Sequence, residues 1–307
     1  GYDAISMSWN TRYLTLFPGI IRAKRRGIGV VLWGHGYSKN EGPLRAWLRL
    51  RAAKMADAIC TYNNEARRSY IERGIPEEKA FVALNAQDQA PIQRAREDWL
   101  ARPDDMARFA AEHGLDQGPV ALFVSRLYEP NRTDLLIRAV KQLEHKHPGF
   151  RVVVIGKGPD EARLRRIAEE CGMADRVIFP GAIYDEQELA PWFLSATLFC
   201  YPQNIGLSIL HAMGYGLPVV TSDRVDNQNP EITALDHGRN GLLYTHADLD
   251  ALARALDTIV SDPGLRERMS RAAHETATTT FTIKNMADGM EAALRYAAGK
   301  ARARRGG

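Results

Sequence analysis

Long apolar runs are missing from this chain: no stretch approaches the roughly 20 apolar residues that a membrane-spanning helix requires. Cysteine is scarce as well. Cys60, Cys171 and Cys200 are odd in number, far apart and set in apolar runs, which argues against a disulfide framework or a metal site and for reduced core thiols in a cytoplasmic protein. Neither sign of charge dominates: 41 Lys and Arg against 37 Asp and Glu leave a formal net charge of +4, too small and dispersed to mark a nucleic-acid surface. With 25% charged and 45% hydrophobic residues, the composition excludes a disordered chain. A starting Met and a signal-like leader are also lacking. The chain opens directly on a strand pattern, Tyr2-Asp3-Ala4-Ile5-Ser6-Met7-Ser8, and we expect the natural N-terminus to lie upstream.

What is present alternates strand and helix, over a length that suits two domains. Gly29-Val30-Val31-Leu32-Trp33 predicts a buried strand ending in Gly34-His35-Gly36. Leu44, Trp47, Leu48, Arg51 and Met55 recur at helical spacing, and Ala58 to Tyr62 returns as a strand. Asn63 or Asn64 can cap the next helix, which stops at Gly74. Lys79 to Leu84 predicts another strand. A polar helical passage from Asp88 to His113 leads to Gly114 and the Gly118-Pro119 break, where we place the domain boundary: 1–116 and 117–307.

In the second half, six short runs are continuously apolar but for a leading Arg151 and Thr197: Val120 to Val124, Arg151 to Ile155, Val177 to Phe179, Thr197 to Tyr201, Leu217 to Val220 and Gly241 to Tyr244. Strands apolar on both faces belong to a parallel sheet covered by helices on each side. The intervening stripes, Leu135, Leu136, Ala139, Val140 and Leu143, then Leu164, Ile167, Ala168 and Cys171, supply those helices. Asp248-Leu249-Asp250 looks like an Asp-x-Asp metal pair, but Ala251, Leu252, Ala255 and Leu256 continue at helical spacing, so it reads as a helix start. From Leu249 onward the chain is helical and Ala-rich, ending in Lys300, Arg302, Arg304 and Arg305. That end reads either as a solvated terminus or as a basic patch for anionic lipid heads, at about 1 kcal/mol per basic residue.

The organising stretch runs from Tyr201 to Thr221. A strand ends at Pro202, a helix opens near Gly206 and closes at Gly216, and the amides of Ile205, Gly206 and Leu207 are expected to point out of the helix start, favouring an anion such as a diphosphate. His211, one turn on, leans toward the same mouth. Ligands of open parallel sheets bind beyond the carboxyl ends of the strands. His35, Ser125-Arg126, Gly156-Lys157-Gly158, Gln203 and Ser222-Asp223 all sit at such ends. The Gly156 loop lacks the third glycine of a dinucleotide fingerprint, since Glu161 stands there, and a turn for helix-on-strand packing reads equally well.

This stretch resembles the donor-site signature of the retaining glycosyltransferases of family 4: a Glu, seven residues and a second Glu, written around Glu-Gly-Phe-Gly-Leu and closed by Glu-Ala-Met-Ala-x-Gly-x-Pro-Val-Val. Here Gln203 and His211 replace the two acids, and Asn204 and Ile205 replace Gly and Phe. Val124-Ser125-Arg126-Leu127 is similar to the family's Gly-Arg-Leu. Pro130-Asn131-Arg132-Thr133-Asp134 stands for its Glu-Lys-Gly-x-Asp, with Asn131 at the Lys and Arg132 as the expected second cation. Gly156-Lys157-Gly158-Pro159 stands for Gly-Asp-Gly-Pro, and Pro230-Glu231-Ile232 and Gly238 to Leu243 match framing motifs. The resemblance covers residues 118 to about 285 and reaches the first 116 only loosely.

The resemblance implies the α/β GT-B fold, two Rossmann-like doubly wound domains facing a cleft, with the first domain incomplete and the last helix crossing back to it. It implies a retaining, metal-independent glycosyltransferase, without cofactor, that moves a sugar from a nucleoside diphosphate sugar to an acceptor hydroxyl in glycan or cell-envelope polysaccharide synthesis. The implied catalytic residues are Arg126, Arg132, Gln203 and His35; the implied substrate-binding residues are Gly156, Gly158, Ile183, Ile205, Gly206, Leu207 and His211, with backbone near Gly181, Ala182 and Ile183 reading the base. A charge-assisted bond from Arg126 to the diphosphate is worth about 1.5–3 kcal/mol. In a front-face reaction the leaving phosphate takes the acceptor proton, which fits the absence of a carboxylate pair. The implied partners are the donor and an acceptor such as a lipid-linked glycan, with peripheral contact at the inner membrane face through the basic C-terminus and no nucleic acid. Two alternatives stay open: a GT-B-like nucleotide binder without catalysis, marked by Gln203 and His211, and a sugar-nucleotide epimerase.

Overall fold

The computed structural model describes residues 2–37 and 42–306. In chain order the first elements are β1 (Ala4–Ser8), α1 (Leu16–Arg25), β2 (Gly29–Gly34), α2 (Pro43–Met55), β3 (Ala58–Thr61), α3 (Asn64–Glu72), β4 (Ala80–Val82), α4 (Ala90–Leu100) and α5 (Pro103–Glu112). Then come β5 (Val120–Val124), α6 (Thr133–Gln142), β6 (Arg151–Ile155), α7 (Glu161–Glu170), β7 (Val177–Gly181), α8 (Glu186–Leu194) and β8 (Leu198–Cys200). Last are α9 (Ser208–Gly214), β9 (Val219–Ser222), β10 (Gly241–Tyr244), α10 (Leu249–Ser261), α11 (Pro263–Glu275) and α12 (Ile283–Gly306). Two compact units result, one of Gly1–Ala86 with Phe281–Gly307, the other of Gln87–Thr280.

The first unit holds a parallel four-stranded sheet in the order β1-β2-β3-β4. Its central strands β2 and β3 are buried on both faces because both are covered. Val30, Leu32 and Ile59 join Ile20, Ala52, Ala53 and Tyr70 on one side; Val31, Ala58, Cys60 and Ala83 meet α12 on the other. α12 presents Ala293, Ala297 and Ala301, one per turn, all buried. Glycine lets it lie this close: a Cβ on Gly29 would sit 2.4 Å from the Ala297 carbonyl oxygen, and one on Gly289 2.1 Å from that of Val82. The basic end of α12 is not a loose solvated tail. Arg302 and Arg305 pair with Asp3, and Arg304 pairs with the buried Asp57.

The second unit holds six parallel strands in the order β10-β9-β8-β5-β6-β7. The chain winds outward through β6 and β7, returns past β5 to β8, and continues to β9 and β10. The switch point, where a doubly wound sheet accepts ligands, is therefore between the carboxyl ends of β5 and β8. These bounds differ from the expected 1–116 and 117–307. Residues 87–116 belong to this unit because α4 and α5 pack on α8: Phe109 meets Trp192 edge-on with centroids 5.0 Å apart, and the Trp99 indole donates to the Gln187 carbonyl at 2.8 Å. The Gly114 to Pro119 break is a turn inside the unit. Asp248 caps α10, its carboxylate accepting the Ala251 amide at 2.8 Å, so the Asp-x-Asp pair is a helix start. The Cys60 and Cys200 thiols are buried; burial pushes the first up to about 12 and the second higher still. Among the described residues no helix is long and apolar enough to cross a membrane.

Candidate functional site

At the β5–β8 switch point two recesses of about 600 and 530 Å³ adjoin, sharing Val124, Ser125, Arg126 and Tyr128. The first adds Asn131, Asn204, Gly206, Leu207 and His211 to its walls; the second adds Gly156, Lys157, Gly158, Ala182 and Ile183. Arg126, which follows β5, is exposed and lines both. Lys157 is exposed too and gives the second recess a further cation, a role the sequence reading did not assign to it.

The glycines of the second recess are needed for backbone approach. A Cβ on Gly156, at φ +143°, would fall 1.8 Å from the Ser125 carbonyl oxygen, and one on Gly158 2.1 Å from that of Leu127. The two loops bond across this contact, Leu127 donating to the Lys157 carbonyl and Asp160 to the Leu127 carbonyl, each at 3.1 Å. The packing-turn reading of Gly156-Lys157-Gly158 thus has a direct cause, and the same turn holds Lys157 at the recess.

The loop after β8 is fixed by amide side chains. Asn131, 2% exposed, donates to the Arg126 carbonyl at 2.8 Å, accepts from the Asn204 side chain at 3.0 Å, and its carbonyl accepts the Gln203 amide at 3.2 Å. Asn204 has φ +67°, a left-handed conformation that Asn tolerates better than most side chains. The Ile205 amide, expected at the anion mouth, points elsewhere: it donates to the Gln228 side-chain oxygen at 2.8 Å, while Gln228, wholly buried, donates to Thr221 Oγ1 and the Ser222 carbonyl at 3.1 Å each. α9 begins at Ser208, two residues past the expected Gly206. The Gly206 and Leu207 amides make no hydrogen bond among the described residues.

His211 is set between two partners. Its Nε2 lies 2.9 Å from Glu186 Oε1 and its Nδ1 3.3 Å from Gln87 Nε2, with the ring stacked on Phe193 at a 4.7 Å centroid distance. A carboxylate only accepts, so Glu186 fixes the proton on Nε2 and leaves Nδ1 as an acceptor. Tyr215 donates to the same Glu186 oxygen at 2.5 Å. Burial raises the Glu186 carboxyl, but the hydrogen bonds from His211 and Tyr215 outweigh it and hold the group below its ordinary value. Burial, then the Glu186 bond, pushes the Tyr215 hydroxyl well up. Glu186, Gln87 and Gln228 were not legible as site residues, being 25, 124 and 23 positions from the residues they hold.

The remaining expected residues are placed as follows. Ile183 lines the second recess. Arg132 lines neither: at φ +54° it turns to Asp134, donating from Nε at 2.9 Å and Nη2 at 3.0 Å. Gln203 is half-buried and lines neither recess. His35 is exposed at the end of β2 in the first unit, its ring edge-on to Tyr62 at 4.6 Å. Glu231 is buried, and Asn240, also buried, bonds the Ala234 carbonyl and Thr276, so the two framing motifs act in the core.

A family model described as glycosyl transferases group 1 matches residues 105–276. The chain is 28% identical over 258 residues to a GDP-mannose-dependent alpha-(1-6)-phosphatidylinositol monomannoside mannosyltransferase of Mycolicibacterium smegmatis, a match covering 81% of this chain and 64% of that one. It is 34% identical over 187 residues to a D-inositol 3-phosphate glycosyltransferase of Acidothermus cellulolyticus, covering 57% and 40%. The chain thus spans less than two thirds of either relative. Among solved structures it is similar to Anabaena Alr3699/HepE in complex with UDP, with a TM-score of 0.77, 20% identity and coverage of 96% of this chain and 79% of that one. The lipopolysaccharide outer core galactosyltransferase WaaB in its apo form gives a TM-score of 0.70 at 18% identity, covering 95% and 75%. These likenesses place the fold in the GT-B class.

Proposed function

We propose, because this chain belongs to the glycosyl transferases group 1 family, that it carries the donor side of a retaining glycosyltransferase that moves a sugar from a nucleoside diphosphate sugar to an acceptor hydroxyl. The observation that carries this reading is the pair of recesses at the β5–β8 switch point, joined at Arg126. A nucleoside diphosphate needs an adjoining base pocket and anion pocket with a cation between them. Ala182 and Ile183 would receive the base, His211 Nδ1 would accept a ribose hydroxyl in place of the Gln87 amide that it meets at 3.3 Å, and Arg126 with the Gly206 and Leu207 amides would hold the diphosphate. Charge grows on that diphosphate as the glycosidic bond breaks, so these donors act most strongly in the transition state.

Arg132, bound to Asp134, supports the loop in this reading, and Lys157 serves as the second cation. Gln203 is assigned to the donor-sugar hydroxyls, and His35 keeps the catalytic role that the family resemblance implies. The leaving phosphate takes the acceptor proton, with no metal or cofactor in the step. The relatives' names support a role in glycan or cell-envelope synthesis with a lipid-linked acceptor, and we place that role on the cytoplasmic side. Loss of both family acids at Gln203 and His211 favours one second reading, a donor binder without turnover.

The test is calorimetric titration of UDP, GDP and ADP into the protein and into Arg126→Ala. Micromolar binding of one nucleotide is expected, weakened in the variant about tenfold, or 1.4 kcal/mol. Release of nucleoside diphosphate from the matching sugar donor then separates transferase from binder. Absence of binding to all three nucleotides overturns the assignment of the donor site.

A further inference from the structure

The first unit contains a second polar recess, of about 500 Å³, at the opposite edge of its own sheet from His35. It opens where strands begin: Asp57 directly precedes β3 and Lys79 directly precedes β4. Open α/β sheets use their carboxyl edge for the ligands of their reaction, so this recess is unexplained by that use. Its walls carry five cationic side chains, Lys24, Lys54, Lys79, Lys300 and Arg304, against two carboxylates, Asp57 and Glu78. They converge from α1, α2, α12 and the turn before β4.

Local bonding uses up only part of this charge. Asp57, 5% exposed at its side chain, is bound by Arg304 through both oxygens, lies 3.5 Å from Lys24 and accepts the Val30 amide at 2.9 Å. Lys24 donates to the Met55 carbonyl at 2.8 Å and Lys79 to the Lys54 carbonyl at 3.0 Å, which caps the end of α2. Capping would be a complete account of those two lysines if nothing else faced them. Each ammonium has three donors, however, and capping takes one. Lys300 lies over the Tyr296 ring at 5.2 Å, and Lys54 and Lys79 have no carboxylate partner among the described residues. Burial, and next the charge of Lys24, hold the Lys79 ammonium down to about 8, against a weaker pull from Asp57. A cluster of like charges in a partly desolvated recess is stabilised by an anion between them.

We propose that this recess is a binding site for a phosphate monoester group, held by Lys54, Lys79 and Lys300 over the Asp57–Arg304 pair. The surplus of positive charge favours a dianion over a carboxylate, and compact lysine ammoniums suit a phosphoryl group approached from several sides. Such a group is presented either by a soluble phosphate compound or by a phospholipid headgroup. The proposal does not depend on the donor site of the other unit.

Inorganic phosphate is titrated at constant ionic strength while the lysine side-chain ammonium resonances are followed by NMR. In parallel, the protein is co-sedimented with phosphatidylcholine vesicles with and without phosphatidate. Saturable movement of the Lys79 and Lys300 resonances with a rise in the Lys79 pKa, weakened about tenfold in Lys79→Gln or Lys300→Gln and unchanged in Arg302→Gln, supports the site with a soluble ligand. Arg302 pairs with Asp3 and is not in the recess wall, so it controls for net charge. Phosphatidate-dependent sedimentation weakened by the same two variants and not by Arg302→Gln supports it with a headgroup. Linear movement shared by all lysines, together with vesicle binding unaffected by Lys79→Gln and Lys300→Gln, overturns it.

Discussion

Glu186 Oε1 lies 2.9 Å from His211 Nε2, so the carboxylate that residue 211 itself lacks stands beside it, supplied from another helix. The imidazole is thereby given a defined acceptor face at the recess. Glu186→Gln removes the charge and keeps the shape; we expect a loss of roughly 1.5–3 kcal/mol of stability at pH 7, the range for hydrogen bonds to charged groups. The Glu186 carboxyl is held below its ordinary 4.5 in the folded state. Its contribution is therefore complete above about pH 4.5 and is lost as pH falls through the lower folded value. Urea unfolding of both proteins from pH 7 down to pH 3 should show the stability gap close on the acid side; a gap constant with pH would disprove the account in which the ionised carboxylate is held by these hydrogen bonds.

Gln228 is wholly buried and its side chain makes three hydrogen bonds. Gln228→Ala leaves the Ile205 amide without its acceptor, and each buried group left unpaired costs about 1–3 kcal/mol. Because the Ile205 loop lies between Gly206 and Asn131, we also expect nucleotide affinity to fall. Calorimetry and chemical unfolding on the same preparation check both effects.

Gly158→Ala places a methyl group 2.1 Å from the Leu127 carbonyl oxygen. Neither partner is a flexible side chain, so the loop after β5 must move, at a cost of roughly 1–3 kcal/mol. Nucleotide binding should suffer with stability, since Arg126 rides on that loop. A variant as stable as the parent would show that the two loops are not held together by this contact.

Lys79 predicts a pH dependence of the same sense in an alkaline window. Its ammonium titrates near 8 in the folded chain against an ordinary 10.5, so between these values the unfolded chain binds more protons and stability rises with pH. In phosphate-free buffer, Lys79→Met should be the less pH-sensitive protein over that window, with the difference between the two changing only between pH 8 and pH 10.5. Thermal denaturation across pH 7 to 11 measures it.

The fold of residues 117–280 was legible because a parallel sheet declares itself: Val120 to Val124 and Arg151 to Ile155 are apolar on both faces, and glycines mark where loops touch. Arg126, Gly156 and Gly158 were legible for the same reason, as they follow such runs, and His211 from its place one turn inside the helix that opens after the next run. What the linear pattern could not carry was side-chain traffic between loops. Gln228 takes the Ile205 amide, Asp134 takes Arg132, and Glu186 takes His211, each by a geometry that leaves no periodic signal. The domain limit was misplaced at Gly114 to Pro119 because a Gly-Pro break looks alike whether it ends a domain or only a helix. Nothing in Phe109 or Trp99 alone announces the contact with α8 that decides the matter.

The Ala-rich stripe of α12 has a consequence for synthesis. The sheet face made by Val31, Ala58, Cys60 and Ala83 is covered by a helix that leaves the ribosome only after residues 87–280 have been made. Domains tend to fold as they emerge, yet this unit must wait with one face of its sheet bare while a later unit completes. The unit whose strands are made first is thus the one that can be completed only last, and the one that needs shielding from aggregation in the meantime.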